Sequence, residues 1–406
     1  MKLISGNPSF LLLSMVLLAC GPSGDTDQTI VEEGTYAHDL AFLREHIDGI
    51  VELADETGDA RIALSARYQG RVMTSAATGT SGDSYGWINY DLISSGKVLQ
   101  QFNPVGGEER LWIGPEGGQF SFYFAPGDSF EISNWQVPFL IDTVTYDQKV
   151  TKTSARFTKE ATISNYSGIP FDIQINRTVR LVSGDSLQKK IGLSLDDVPY
   201  VAYETINQIT NIGDLQWKKE DGLMSIWLLS MLKPSDETIA IVPFRPVPGI
   251  DTLITDNYFG PVPTDRLVRR DSVLILKCDG KFRSKIGISP RAARPYAASF
   301  DYSKNILSMI FFPIQPHGLY VNSKWEMQDQ PYGGDVVNAY NDGPLFGGGQ
   351  LGPFYELESS SPAVELAPGQ TLEHRQLTIH MQGNFDQMNK LAKAILGVDL
   401  SETKLP

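Results

Sequence analysis

Cysteine and histidine are scarce in this 406-residue chain, which holds two of the first and five of the second. Two cysteines allow one disulfide at most. No HExxH or CxxC spacing occurs, so a dedicated zinc site is not expected. Positive charge is also short: 34 Lys and Arg stand against 48 Asp and Glu, a formal net charge of -14. That balance excludes a nucleic acid partner, whose phosphates call for basic patches. It equally excludes electrostatic adhesion to anionic lipid. The one apolar stretch of note, Phe10 to Ala19, falls short of the roughly 20 apolar residues that span a bilayer.

What surrounds that stretch gives it a meaning. Lys2 supplies a positive n-region and Phe10–Ala19 an apolar h-region, the order found in secretory signal peptides. It ends in Leu17-Leu18-Ala19-Cys20-Gly21, which resembles the bacterial lipobox, where the cysteine thiol is acylated and the chain cut before it. The resemblance implies a signal peptide over residues 1–19 and lipidation of Cys20. Membrane attachment would then come through lipid, and Cys278 would be left without a disulfide partner. Residues 20–33 are small and polar, as expected of a flexible tether. Asp25 and Asp27 resemble the acidic signal that sends lipoproteins of the Bacteroidetes type to the cell surface. The expected location is therefore the bacterial outer membrane, lipid-anchored, on its surface or periplasmic face.

The mature part, about 385 residues, is long enough for two average domains or one large β-domain. Residues 36–54 place Leu40, Leu43, Ile47, Ile50, Val51 and Leu53 at helical spacing, which predicts an N-terminal helix within residues 34–56. From about Arg61 the period changes to that of strands. Segments rich in Val, Ile, Thr, Tyr and Phe recur at 61–68, 119–124, 154–164, 171–181, 188–195, 223–232, 238–243, 272–277, 285–288, 306–312 and 376–381. Cys278 ends one of them and reads as a core thiol. Asn384-Phe385-Asp386 opens a closing helix over 384–396, and Gly397 stops it; residues 400–406 form a tail. No linker splits the region between, so residues 57–399 read as one mostly antiparallel all-β domain with a helix at each end.

Two passages carry a family resemblance. Gly352-Pro-Phe-Tyr-Glu-Leu-Glu358-Ser-Ser-Ser-Pro362, followed by Leu366-Ala-Pro-Gly369-Gln, resembles the closing strands of aldose 1-epimerases. There a Leu-Glu-Thr-Gln strand precedes a proline, and a Leu-x-Pro-Gly-Glu turn leads into the last strand. Here Ser359-Ser360 replace Thr-Gln, and Pro362 comes one residue early. Ala63–Thr74, with its turn at Gln69-Gly70, looks like the opening hairpin of the same superfamily. The resemblance implies a galactose mutarotase-like β-supersandwich, large twisted antiparallel sheets with a carbohydrate cleft on one face. It covers about 35 residues in motif. Epimerases also carry a His-x-Tyr-Phe-Asn motif, and none occurs mid-chain; Asn207 and Asn211 stand about where it should fall. The chain therefore looks more like the Bacteroidetes-type lipoprotein families that share this fold.

Three stretches gather the residue types a sugar site needs. Residues 106–118 hold Arg110, Trp112 and Glu116 among glycines; the Trp offers a flat face, and the charged groups can grip hydroxyls. Residues 315–343 bring His317, Trp325, Glu326, Asn341 and Asp342, although Asn341-Asp342-Gly343 is also an ordinary turn signal. Glu358 follows an apolar strand, where desolvation would raise its carboxyl towards the range useful for proton transfer. Glu356 shares its face. Such a pair either shifts one pKa upwards or binds a cation such as calcium; no other cofactor is implied. Each of these residues also has a bland reading, as turn, surface or framework. His38, His46, His374 and His380 read as surface or framework.

Three functions remain open. One is proton-transfer chemistry on a sugar or glycoside, as in an epimerase, lyase or hydrolase, with Glu358 as base, His317 or Glu116 as acid, and Arg110, Trp112, Trp325, Glu326, Asn341 and Asp342 binding substrate. The second is a non-catalytic surface glycan-binding lipoprotein, and the third a structural envelope protein. On the first, Glu358→Gln is expected to remove turnover and leave stability intact.

Overall fold

The computed structural model describes residues 32–405, apart from 196, 346 and 347. The expected signal peptide, Cys20 and most of the expected tether lie outside the described residues. The rest is dominated by antiparallel strands, which form three sheets of ten, six and three strands.

The ten-stranded sheet runs from Leu267–Arg269 through Val273–Lys277, Thr238–Pro243, Tyr296–Asp301, Ile306–Phe311, Thr371–Gln382, Tyr200–Asn211, Pro170–Leu181 and Ser154–Ser164 to Asp147–Val150. The six-stranded sheet orders Ile254–Thr255, Ser284–Ile288, Val337–Asn341, Tyr355–Ser360, Ser225–Leu229 and Arg110–Gly114. The all-β class and large antiparallel sheets expected from the sequence are what the chain forms.

Period-two alternation decides which way the smaller sheet faces. In Tyr355–Ser360, Tyr355, Leu357 and Ser359 point at the larger sheet. Tyr355 Oη lies 2.8 Å from Ser299 Oγ, and Ser359 Oγ lies 2.8 Å from His374 Nε2. Leu357 joins Ala240, Leu274, Ile286 and Ala339 in the core between the sheets. The alternate residues, Glu356 and Glu358, face the opposite way, into the cleft described below. His374 sits inside the protein, where burial pushes its imidazole down to about 3. Cys278 is buried in the same core, and burial pushes its thiol up.

The outer face of the ten-stranded sheet is closed by the Phe385–Leu396 helix. Met388, Leu391, Ala392 and Leu396 pack on Ile239, Ile275, Phe300 and Ile379. Asn384 and Gln387 form a reciprocal capping box at its start, and Gly397 ends it at φ 71, as the sequence signals predict.

Three expected elements differ. The N-terminal helix runs only over Tyr36–His46. Ile47 is already extended and Gly49 has φ 71, so the chain turns and Val51–Ala54 becomes a strand paired with Arg61–Ser65. A four-residue apolar pattern serves either period, and pairing decided it. The first half of the segment 188–195, expected as strand, lies in a helix, Gly184–Ile191, ended by Gly192 in the left-handed region. Residues 119–124 are no strand; Phe122, Tyr123 and Phe124 are buried from an irregular loop.

Candidate functional site

The cleft is laid out by cross-strand register on the outward face of the six-stranded sheet. Glu358 pairs with Asn338 on one side and Leu229 on the other, and Leu229 pairs in turn with Arg110. Glu356 pairs with Tyr340, which pairs with Lys285. Trp227 stands opposite Ser360 and Trp112. Since paired residues point to the same face, these side chains converge although they are distant in sequence.

They line two adjoining chambers. The outer one is a cavity of about 490 Å³ bounded by Glu116, Trp227, Arg283, Lys285, Trp325 and Asp335. The inner one, about 90 Å³, is walled by Trp112, Trp135, Phe354, Arg110, Glu356 and Glu358. Glu116, Trp227, Arg283, Lys285 and Trp325 border both. The outer volume lies within the range of small-molecule sites.

Glu358 is fully buried. Its Oε2 accepts from Lys285 Nζ at 2.8 Å and from Trp227 Nε1 at 2.9 Å. Oε1 has no partner among the described residues, an arrangement that costs free energy unless a ligand completes it. Glu356 accepts from Arg110 Nη2 at 2.9 Å. Burial pushes the Glu356 carboxyl up against the pull of Arg110, and the neighbouring Glu358 adds to the rise. The Arg110 guanidinium lies 4.3 Å from the centre of the Trp112 ring. The two acids thus each hold a cationic side chain, Arg110 on Glu356 and Lys285 on Glu358. Among the described residues no group of three or more His, Cys, Asp or Glu could hold a metal ion.

Glu116 lies at the junction of the chambers. Burial raises its carboxyl, opposed by Lys285 and Arg283 and reinforced by Glu358. The glycine beside it has a definite task. A Cβ on Gly117 would fall 2.2 Å from Lys324 O, so its absence lets the Glu116 loop lie directly against the Trp325 loop. Trp325 stacks on Trp135 with centroids 5.9 Å apart, forming an aromatic wall. Asp335, also raised by burial, accepts from Tyr258 Oη at 2.6 Å.

Of the residues singled out in the sequence, Arg110, Trp112, Glu116, Trp325, Glu326 and Glu358 border these chambers, with Glu326 exposed at the rim. Three do not. His317 is exposed in a turn and borders neither chamber, so it is no acid for this cleft. Asn341 points to the opposite face, where it accepts from Gly280 N at 2.8 Å and donates to Phe282 O at 2.9 Å. Asp342 is buried behind the site, accepting from Tyr340 Oη at 2.5 Å and Gly352 N at 3.1 Å. Asn207 is also away from the cleft, buried against Arg177 between the sheets. Sequence reasoning missed Trp227, Arg283, Lys285, Tyr258 and Phe259. The available signal was two basic residues, Arg283 and Lys285, at strand spacing in a segment otherwise built of buried residues.

Fold and cleft define an all-β protein of layered antiparallel sheets with a carboxylate-rich, aromatic-walled pocket. The chain belongs to a family of unknown function (DUF6786), whose model matches residues 34–405. No match was found among the curated proteins. Among solved structures it is similar to the Slr1438 protein from Synechocystis sp. PCC 6803, at 12% identity and TM-score 0.49, over 82% of this chain and 96% of that one. It is also similar to a galactose mutarotase-like protein from Lactobacillus casei ATCC 334, at 11% identity and TM-score 0.45, over 82% of this chain and 99% of that one.

Proposed function

We propose that the cleft binds a sugar and transfers protons at its anomeric centre, in a mutarotase-like domain held at the outer membrane by lipid on Cys20. The observation that supports this most is the pairing of two unlike carboxyl groups. Glu358 presents a buried, unpartnered oxygen to the inner chamber, while Glu116 at the junction is pushed towards its protonated form. Groups whose environments differ in this way suit base and acid roles.

The reaction balances with these two groups. Glu358 accepts the proton of the anomeric hydroxyl as the C1–O5 bond breaks, and Glu116 gives its proton to the ring oxygen. The open-chain aldehyde turns about C1–C2, and the steps reverse on the other face. The apolar face of the ring would rest on Trp325 or Trp227, and Arg110 would hold Glu356 in place beneath. One feature favours a second reading, a binding protein without turnover: Glu358 Oε2 is already held in an ion pair with Lys285 at 2.8 Å.

Occupancy of the cleft is testable by light. Four tryptophans, Trp112, Trp135, Trp227 and Trp325, border the chambers. Titrating D-galactose, D-glucose and their uronic acids should therefore change the intrinsic fluorescence saturably. A linear or absent response to all four would count against both readings. The anchor has its own test: Cys20→Ser should release the protein from the membrane fraction, and retention there would contradict lipid attachment.

A further inference from the structure

The charged groups of the cleft are not all spent on one another. Arg110 is paired with Glu356 and Lys285 with Glu358, both within 2.9 Å. Arg283 borders both chambers, yet among the described residues it has no ion pair. Its guanidinium is nonetheless held firmly. Its Cζ lies 3.8 Å from the centre of the Phe259 ring, and Nε donates to Tyr340 Oη at 3.3 Å. Tyr340 in turn donates to the buried Asp342 at 2.5 Å. One face and one edge are thus engaged, and neither terminal nitrogen has a hydrogen-bond partner among the described residues. A pre-set planar fork of this kind matches a carboxylate in two parallel hydrogen bonds. Lys324, which also borders the outer chamber, adds a second positive charge with no ion pair among the described residues.

We propose that the substrate is a sugar acid, a hexuronate or a glycan ending in one, whose carboxylate is received by Arg283. This rests on the proposal that the cleft binds a sugar. Arg283 borders both chambers together with Glu116 and Lys285, so a single ligand in the cleft can meet all three. A carboxylate is preferred over a phosphate ester on charge grounds. The outer chamber also carries Asp335 and, at its rim, Glu326, which a dianion would meet at greater cost than a monoanion. Asp342, buried and raised by burial, is a positioning residue that fixes Tyr340 and through it Arg283.

The test is calorimetric or fluorescence titration of the full chain with D-galacturonate, D-glucuronate, D-galactose, D-glucose and glucose 6-phosphate. At least one uronate should bind about tenfold or more tighter than its neutral hexose, the scale of one bidentate charge-assisted contact. Arg283→Gln should remove that preference, bringing the uronate and its neutral hexose to within about twofold of one another. Arg283→Lys, which keeps the charge and loses the fork, should retain only part of it, and it serves as the check if the glutamine variant misfolds. Neutral hexoses binding as tightly as uronates would overturn the inference and leave the sugar site standing. A phosphate ester binding more tightly than either uronate would overturn the choice of carboxylate. No binding by any of the five would instead overturn the sugar site itself.

Discussion

Glu358→Gln should cost the protein both the proposed proton-transfer activity and part of its stability. Removing a positioned general base lowers a rate by about 10²–10⁴-fold. The stability loss follows from what the structure adds to the sequence reading, which expected none. Glu358 is fully buried, and its partner Lys285 has a side chain only 11% exposed. An amide in its place still accepts from Trp227 Nε1, but it leaves the ammonium without its counter-charge. Breaking a buried pair at one end costs about 3–5 kcal/mol, and the amide's residual hydrogen bonding brings this to about 1–3 kcal/mol. Adding Lys285→Met should restore much of the stability and none of the activity. Urea unfolding and anomer exchange measured on the same samples separate the two effects. A single Glu358→Gln variant that kept full exchange activity would remove Glu358 from the mechanism.

A larger loss of stability should come from Arg177→Met, far from the cleft opening. Arg177 is wholly buried. It donates to Gly70 O at 2.9 Å, Asn207 Oδ1 at 2.6 Å and Glu109 Oε1 at 3.0 Å. Glu109 is equally buried, and its other oxygen accepts from Gln376 Nε2 at 2.9 Å and Thr378 Oγ1 at 3.0 Å. These bonds tie the hairpin turn at Gly70 and the segment leading into Arg110–Gly114 to the ten-stranded sheet. Losing the guanidinium strands the Glu109 carboxylate in the interior, at about 3–5 kcal/mol. Because Glu109 directly precedes Arg110, sugar affinity should weaken as well. Combining Arg177→Met with Glu109→Gln should recover more than half of the loss, since the remaining groups can pair as neutral partners. A loss below about 1 kcal/mol, measured by urea unfolding, would show that the pair contributes little.

Much of the architecture is legible in the residues. The alternation in Tyr355–Ser360 correctly puts Glu356 and Glu358 on one face, and the Asn384, Gln387 and Gly397 signals mark the closing helix. Such features are local, and local chemistry decides them. Val51–Ala54 and Gly184–Ile191 were misread because four to eight residues suit either period until neighbours choose. The site was only half legible for a related reason. Glu116, Trp325 and Glu358 stand out by residue type, but their meeting depends on register: Glu358 opposite Leu229, Leu229 opposite Arg110, Tyr340 opposite Lys285. No spacing along the chain encodes that. Lys285 and Trp227 looked like members of ordinary strands, and only cross-strand pairing makes them partners of Glu358. His317 shows the converse, since an imidazole at a strand end carried suggestive chemistry and the turn holds it in solvent.

The most direct test of the central claim is the approach of freshly dissolved α-D-galacturonate, α-D-galactose and α-D-glucose to anomeric equilibrium, followed by polarimetry with the wild-type protein. The account predicts that the rate rises in proportion to protein concentration for at least one of them and returns to the buffer rate in Glu358→Gln. Rates that match buffer alone for all three sugars, in a protein whose tryptophan fluorescence shows the cleft filled, would contradict proton transfer and leave a binding protein.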